Sequence, residues 1–185
     1  MKRFLLPVLC ALSVLPTLSH AAEKSAAYLL NPGDAISISV WGEDKLKQEL
    51  KVLSGGTISP LLTGPIDVKG LDTTAVEKLY AKALLKYYPE PIVSVSVTGT
   101  EGNRVFVQGK VMKPGEVHLN GPTSVLQVLS VSGGLDKFAD KGGIMVLRGD
   151  APNQKILPVD YNALMSGKDL STNYPLQAGD TLVVN

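Results

Sequence analysis

The chain has 185 residues, of which 44% are hydrophobic and 19% are charged, and its formal net charge at neutral pH is +1. This length is sufficient for one full hydrophobic core or two small ones. Because the charges nearly balance and no basic cluster occurs along the chain, electrostatics gives no support for nucleic acid or an anionic membrane as a partner.

Residues 1–22 have the pattern of a cleavable signal peptide. Lys2 and Arg3 precede an apolar run that continues to Leu18 and is too short and too interrupted by proline to remain as a membrane helix. Small residues at Ala21 and Ala22 suit signal peptidase, so we expect cleavage after one of them and a periplasmic protein. A retained membrane anchor is the less favoured alternative.

Cys10 is the only cysteine and lies inside this apolar run. The residues before it do not suit lipidation, so we expect no lipid anchor. After signal cleavage the chain would hold no cysteine, which excludes disulfides, a thiol nucleophile and any cysteine-based metal site.

The first predicted unit, residues 28–99, opens with a turn at residues 31–34. A strand over residues 36–40 follows, since apolar and serine side chains alternate there, and Trp41 ends it. A Gly-Gly turn at residues 54–57 predicts a β-hairpin between residues 50–52 and 58–62.

A helix is predicted next, with candidate caps at residues 72–74 and a capping box between Thr74 and Glu77. Pro89 ends it, and residues 92–97 form the clearest strand in the chain. The predicted buried face of the helix comprises Val76, Leu79, Tyr80, Ala83, Leu84 and Tyr87.

The second predicted unit, residues 103–185, begins after a polar, glycine-containing boundary. Its helix over residues 123–131 is expected to stop at Gly133 and Gly134. Strands are predicted over residues 104–111, 117–119, 144–148, 155–159 and 181–184. The fold class is therefore α+β, dominated by sheets.

A short internal similarity relates residues 30–38 to residues 176–184. In each segment a Gly-Asp turn begins a strand, with Gly33 and Asp34 in the first and Gly179 and Asp180 in the second. Glycine permits a positive φ and aspartate can close an Asx-type turn, so two similar turns explain the similarity better than a repeat of whole units.

The sequence predicts no catalytic, cofactor-binding or metal-binding residues. His118 would be the only histidine of the secreted chain, and no G-x-S-x-G nucleophile motif accompanies it, which favours a strand-surface histidine over a catalytic one. The paired glycines fit no phosphate-binding motif and are better explained as turns and helix stops.

A glycosidase would need only two carboxylates, but the candidates are poorly placed. Carboxylates beside turns and caps normally accept backbone N–H bonds, which disfavours the protonated state of a general acid. This applies to Asp34, Asp72, Asp136 and Asp180. The remaining acids considered, in a mixed-charge segment typical of a solvated face, are Glu43, Asp44 and Glu49.

In combination, these motifs resemble the polysaccharide biosynthesis/export family of the Wza type. The family's Tyr-x-Leu-x-Pro-Gly-Asp opening is present at residues 28–34, and similar segments follow at residues 56–64 and 91–95. Residues 105–111 and 132–135 resemble an SLBB domain, a soluble ligand-binding β-grasp domain.

The resemblance implies a β-rich export domain followed by a β-grasp domain, in a periplasmic component of an exopolysaccharide or capsule export channel associated with the outer membrane. The implied partners are the polysaccharide, further copies of the chain in a homo-oligomeric ring, and an inner-membrane polysaccharide co-polymerase. The lipidation site and C-terminal membrane helix of well-known members are not recognisable here, so we expect a separate outer-membrane β-barrel partner.

Two other functions remain open at this stage. A soluble periplasmic protein that binds a glycan through its β-grasp unit, without a conduit role, is the main alternative. An enzyme acting on the polysaccharide is the least favoured. Aromatic residues are only 5% of the chain, and no row of them indicates where a glycan would bind.

Overall fold

The computed structural model describes residues 27–149 and 152–185. The predicted signal peptide, with Cys10 and His20, lies outside these residues. The described chain combines helices with sheets and divides its buried side chains into two separate hydrophobic clusters. The predicted α+β class is confirmed.

The first unit is built around a central strand. In chain order its elements are β1 (Ala35–Val40), β2 (Gln48–Lys51), β3 (Thr57–Ile58), β4 (Ile66–Asp67), α1 (Thr73–Leu84) and β5 (Val93–Gly99). Strand β1 lies between β2 and β5 and is antiparallel to both, while β3 and β4 form a separate two-stranded sheet.

The core of this unit lies between the three-stranded sheet and α1. Alternate residues of β1 point into it, and α1 contributes Val76, Tyr80 and Leu84, all of which are buried. The Tyr80 hydroxyl donates a 3.0 Å hydrogen bond to the Leu61 carbonyl, which satisfies the one polar atom of this side chain. Two members of the predicted helical face, Leu79 and Tyr87, are exposed instead.

Two local predictions in this unit are wrong. The hairpin between β2 and β3 does not form, because β2 pairs with β1 and the backbone of Val52 bonds to Gly33 and Asp34. The helix is capped by Asp72, whose carboxylate accepts from the Ala75 N–H. Glu77 takes no part in a capping box, since its carboxylate accepts a 2.9 Å bond from the Val95 N–H of β5.

The second unit is a β-grasp arrangement. Its elements are β6 (Arg104–Gly109), β7 (Gly115–His118), α2 (Val125–Val131), β8 (Ile144–Arg148), β9 (Lys155–Val159), α3 (Tyr161–Ser166) and β10 (Thr181–Val184). The five-stranded sheet has the order β7-β6-β10-β8-β9, in which β10 is parallel to β6 and every other pairing is antiparallel.

Helix α2 begins and ends as its local sequence dictates. Ser124 and Gln127 form a capping box, and Gly133 and Gly134 adopt positive φ values of 79° and 83°. This confirms the predicted glycine stop. Helix α3 was not predicted, although Asp160 caps it and Gly167 ends it in the left-handed conformation.

Candidate functional site at the junction of the two units

The two Gly-Asp turns lie on either side of one surface groove at the junction of the units. Residues of both turns line it, together with residues of β6 and with Gly102, which lies in the linker between β5 and β6 (residues 100–103). The groove has a volume of about 240 Å³. Its geometry is therefore set by the two turns and by the linker between them.

In the first turn, Asp34 is completely buried and accepts hydrogen bonds from neutral donors only. One carboxylate oxygen accepts from the Tyr28 hydroxyl at 2.6 Å and from the Asn31 N–H at 2.8 Å. The other accepts from the Gly102 N–H at 2.9 Å. Asp34 thus joins the segment of the first turn to the linker that contains Gly102.

Burial raises the pKa of the Tyr28 hydroxyl above its usual value, and the hydrogen bond to Asp34 adds to the effect. Both causes disfavour the phenolate, because the ionised ring would lose solvation and face a neighbouring carboxylate. Tyr28 therefore acts as a hydrogen-bond donor that holds Asp34.

In the second turn, Asp180 is 1% exposed and forms an ion pair with Arg148. The Arg148 Nη2 and Nε atoms lie 2.7 Å and 2.9 Å from the two carboxylate oxygens. The Gln177 N–H donates a further bond of 2.8 Å. Arg148 also bonds to the Pro175 carbonyl, so the guanidinium connects β8 to the segment that leads into β10.

Gly102 allows the closest approach between the linker and the first turn. A Cβ atom built at this position would lie 2.8 Å from the Asp34 Oδ1 atom and closer still to the Pro32 carbonyl oxygen. Only a residue without a side chain fits there without displacement of the backbone. The glycine therefore explains how the two units pack together at the groove.

The groove offers polar and aromatic contacts on its β6 side. The Arg104 guanidinium lies 5.8 Å from the centroid of the Phe106 ring and pairs with Glu116 at 3.1 Å. The groove can therefore contact a polar ligand, but its two aspartates are already engaged in buried hydrogen bonds.

The turn and cap carboxylates accept the backbone bonds expected from the sequence. Asp34, Asp72, Asp136 and Asp180 each accept at least one backbone N–H bond, at distances of 2.7 to 2.9 Å. These bonds use the carboxylate as an acceptor, so they favour structural roles over general-acid catalysis.

His118 lies on the exposed side of β7, as the sequence predicts. Its Nε2 atom is 3.9 Å from a Glu116 carboxylate oxygen, and within the described residues no serine or threonine hydroxyl bonds to it. The structure therefore brings no nucleophile to this histidine.

The described residues hold neither a metal-binding cluster nor a membrane-spanning helix. Over residues 27–149 and 152–185, no group of three or more histidine, cysteine or acidic side chains is arranged to hold a metal ion. No helix in the same part of the chain has the length and apolar character needed to span a membrane.

Family models match both units in sequence order. Residues 22–98 match the polysaccharide biosynthesis/export protein family, and residues 103–184 match the SLBB domain. The chain belongs to the polysaccharide biosynthesis/export protein family. The β-rich first unit is its export domain, and the second unit is its SLBB β-grasp domain.

Curated relatives agree with this assignment. The chain is 29% identical over 161 residues to the polysialic acid transport protein KpsD of Escherichia coli, covering 85% of this chain and 28% of the relative. It is 25% identical over 151 residues to the EPS I polysaccharide export outer membrane protein EpsA of Ralstonia solanacearum, covering 68% of this chain and 40% of the relative. The chain thus spans less than half the length of each of these relatives.

Proposed function

We propose that this chain is a periplasmic, non-enzymatic component of an exopolysaccharide or capsule export channel associated with the outer membrane. The observation that best supports this proposal is the order of two family domains, export then SLBB, within one chain. We place the functional domains at residues 28–99 and 103–185, after a signal peptide at residues 1–22.

The geometry of the acidic residues supports a role without catalysis. Asp34 and Asp180 are the buried acids of the described chain, and both are held by several donors. Activating water or protonating a glycosidic oxygen requires a carboxyl group that can reach the substrate. Asp34 and Asp180 therefore have structural roles, and we propose that the chain guides the polymer.

Export of a polymer through the protein requires an enclosed path, which one copy of a domain this size does not supply. We infer that copies of the chain form a closed ring, in which identical contacts repeat around one axis. The ring would work with an outer-membrane protein and an inner-membrane polysaccharide co-polymerase. The names of the EpsA relatives, which place those proteins in the outer membrane, support this location.

Deletion of the gene tests the proposal directly. Surface polysaccharide should fall strongly in the deletion strain, and polymer should accumulate inside the cell envelope. A plasmid copy of the gene should restore export. Unchanged surface polysaccharide in the deletion strain would contradict the proposed function.

Sedimentation of the purified secreted chain separates a conduit from a soluble glycan-binding module. A ring should sediment as a discrete oligomer, whereas a module can act as a monomer. Crosslinking in intact cells should also recover an outer-membrane protein. A monomer at all concentrations, with only soluble partners recovered, would favour the module.

A further inference from the structure

One face of the three-stranded sheet carries paired serines. Ser37 lies opposite Ser96, and Ser39 lies opposite Ser94, in the register between β1 and β5. We call these four residues the serine face. Because side chains alternate along a strand, Ile36 and Ile38 point to the opposite side, into the core.

The hydroxyls of the serine face are available to a ligand. Ser94 and Ser96 are exposed, and Ser37 and Ser39 are half-buried. Within the described part of the chain, none of the four hydroxyls forms a hydrogen bond. A row of such groups contributes little to folding, since nothing in the protein uses their donors and acceptors.

An exposed tryptophan lies at one end of the serine face. Trp41, the only tryptophan of the chain, is 84% exposed, and its neighbour Ile92 is 68% exposed. Together with Ser39, Ser94 and Asp44 they line a shallow cleft of about 500 Å³. The backbone beneath is ordered by a 2.9 Å hydrogen bond from the Trp41 N–H to the Ile92 carbonyl.

This combination of groups suits a sugar better than a protein partner. A pyranose presents hydroxyls around its rim and C–H groups on its faces, so it can bond to serine and aspartate while stacking on an indole. Protein interfaces are enriched in tryptophan, but they are depleted in serine, which is also rare among the residues that dominate their binding energy. The serine face lacks the apolar centre that a stable protein contact needs.

The dimensions also favour a polymer. Strand residues advance by about 3.4 Å, so the stretch from Ser37 to Trp41 spans roughly 14 Å. This is longer than one sugar ring, and the hydroxyls are distributed along it. A chain of sugars laid along β1 would contact the serines in succession and reach the indole at the end.

We propose that the serine face and Trp41 form a polysaccharide-contacting surface on the export domain, with one sugar ring stacked on the indole. This inference rests on the proposed function, because it takes the transported polymer as the ligand. It assigns the contact to the export domain, whereas the SLBB domain is the unit whose name implies ligand binding.

The position of Trp41 gives a direct assay, because tryptophan emission from the whole chain reports on this one site. The probe is a set of size-fractionated oligosaccharides, made by partial acid hydrolysis of surface polysaccharide from the cells that produce the protein. Adding them to the full secreted chain should change the emission saturably, and longer fragments should bind more tightly than short ones.

Variants locate the contact. By calorimetry, Trp41→Ala should weaken oligosaccharide binding about tenfold, which corresponds to about 1.4 kcal/mol. Ser39→Ala combined with Ser94→Ala should weaken it by a similar factor, since two hydrogen bonds to the sugar would be lost. The matched controls are Phe138→Ala, an exposed aromatic of the SLBB domain, and Ser54→Ala, an exposed serine away from the sheet face. Both should bind normally.

Two results would overturn the inference. One is binding that is equally strong in Trp41→Ala and in the controls. The other is an emission shift when the protein alone is concentrated, because a second copy of the chain would then cover Trp41. Thermal melts should show that the variants remain folded.

The test is separable from that of the proposed function. If gene deletion leaves surface polysaccharide unchanged, the proposed function fails. If deletion abolishes export while the Trp41→Ala and serine variants bind oligosaccharide and export polymer as the wild type does, only the surface assignment fails.

Discussion

The turns at residues 31–34 and 177–180 share a positive glycine φ and a backbone hydrogen bond across four residues, but they stabilise their buried aspartates differently. Gly33 and Gly179 have φ values of 101° and 88°. In each turn the N–H of the aspartate bonds to the carbonyl three residues earlier, at 3.1 Å for Asp34 and 3.0 Å for Asp180. Asp34 then has neutral donors, whereas Asp180 has an arginine.

The comparison separates the turn, which the local sequence determines, from the partners of the aspartate, which the tertiary fold determines. Four consecutive residues suffice to set each turn, because glycine at the third position accepts the positive φ. The donors that hold the carboxylate come from elsewhere in the chain. The first turn therefore binds the linker and joins the two domains, while the second joins two strands of one sheet.

Removal of the arginine should have the largest effect. Arg148→Met leaves Asp180 buried without its cation, and breaking a buried pair in this way costs several kcal/mol. Because the Arg148 side chain is 24% exposed, we expect a loss of about 3 kcal/mol in the free energy of unfolding. Urea denaturation measures it.

Arg104→Met is the matched control for this change. Arg104 pairs with Glu116 at the surface, where both side chains are at least 42% exposed. Such pairs contribute at most about 1 kcal/mol. Equal losses in the two variants would show that burial of Asp180 does not matter.

Asp34→Asn should have the next largest effect. The carboxylate of Asp34 accepts from three donors, and in the variant an amide NH2 group would replace one of its two accepting oxygens. At least one buried donor would then lose its partner. We expect a loss of about 2 kcal/mol by urea denaturation. Asp169→Asn, at an exposed turn that accepts from Ser171, should change stability by a few tenths of a kcal/mol.

The long-range partners mark the limit of what the sequence could predict. Strand β1, helix α2 and the last three strands follow from local periodicity and caps. Asp34 and Gly102 are 68 positions apart, and Arg148 and Asp180 are 32 apart, so no local pattern connects them.

The hairpin error has the same origin. Local sequence predicts the Gly-Gly turn, but it does not reveal that the Val52 backbone forms hydrogen bonds with Gly33 and Asp34 of the first Gly-Asp turn. The sequence also does not reveal that Trp41 is exposed, because an aromatic residue at the end of a strand is usually expected to pack into a core.

Substitution of the two glycines tests whether the turns are equivalent. Gly33→Ala and Gly179→Ala should each cost about 1.5 kcal/mol, because a residue with a Cβ is strained at positive φ. A Cβ at Gly179 meets no atom within 4 Å, and one at Gly33 approaches the Gly102 Cα at 3.4 Å, an ordinary contact. The two thermal midpoints should therefore fall by similar amounts.

Gly55→Ala is the control, since its φ is not positive and its surroundings are open. Unequal effects at Gly33 and Gly179 would show that the surroundings of the two turns matter more than their common dihedral angles.

The smallest expected effect concerns Tyr28, which distinguishes the first turn from the second. Tyr28→Phe removes one of three donors to Asp34 and should lower stability at neutral pH by about 1 kcal/mol. The pKa of Tyr28 is raised in the folded protein above its usual value of 10.0. The unfolded chain therefore releases this proton first, so the stability from Tyr28 is complete below about pH 10 and declines as the pH rises further. Wild type should lose stability above pH 10 more steeply than Tyr28→Phe, as measured by urea denaturation across that range.

Tyr87→Phe, at an exposed tyrosine, should retain the wild-type slope. If Tyr28→Phe also keeps that slope, the hydroxyl does not hold Asp34 in solution, and the first turn depends on its backbone donors alone.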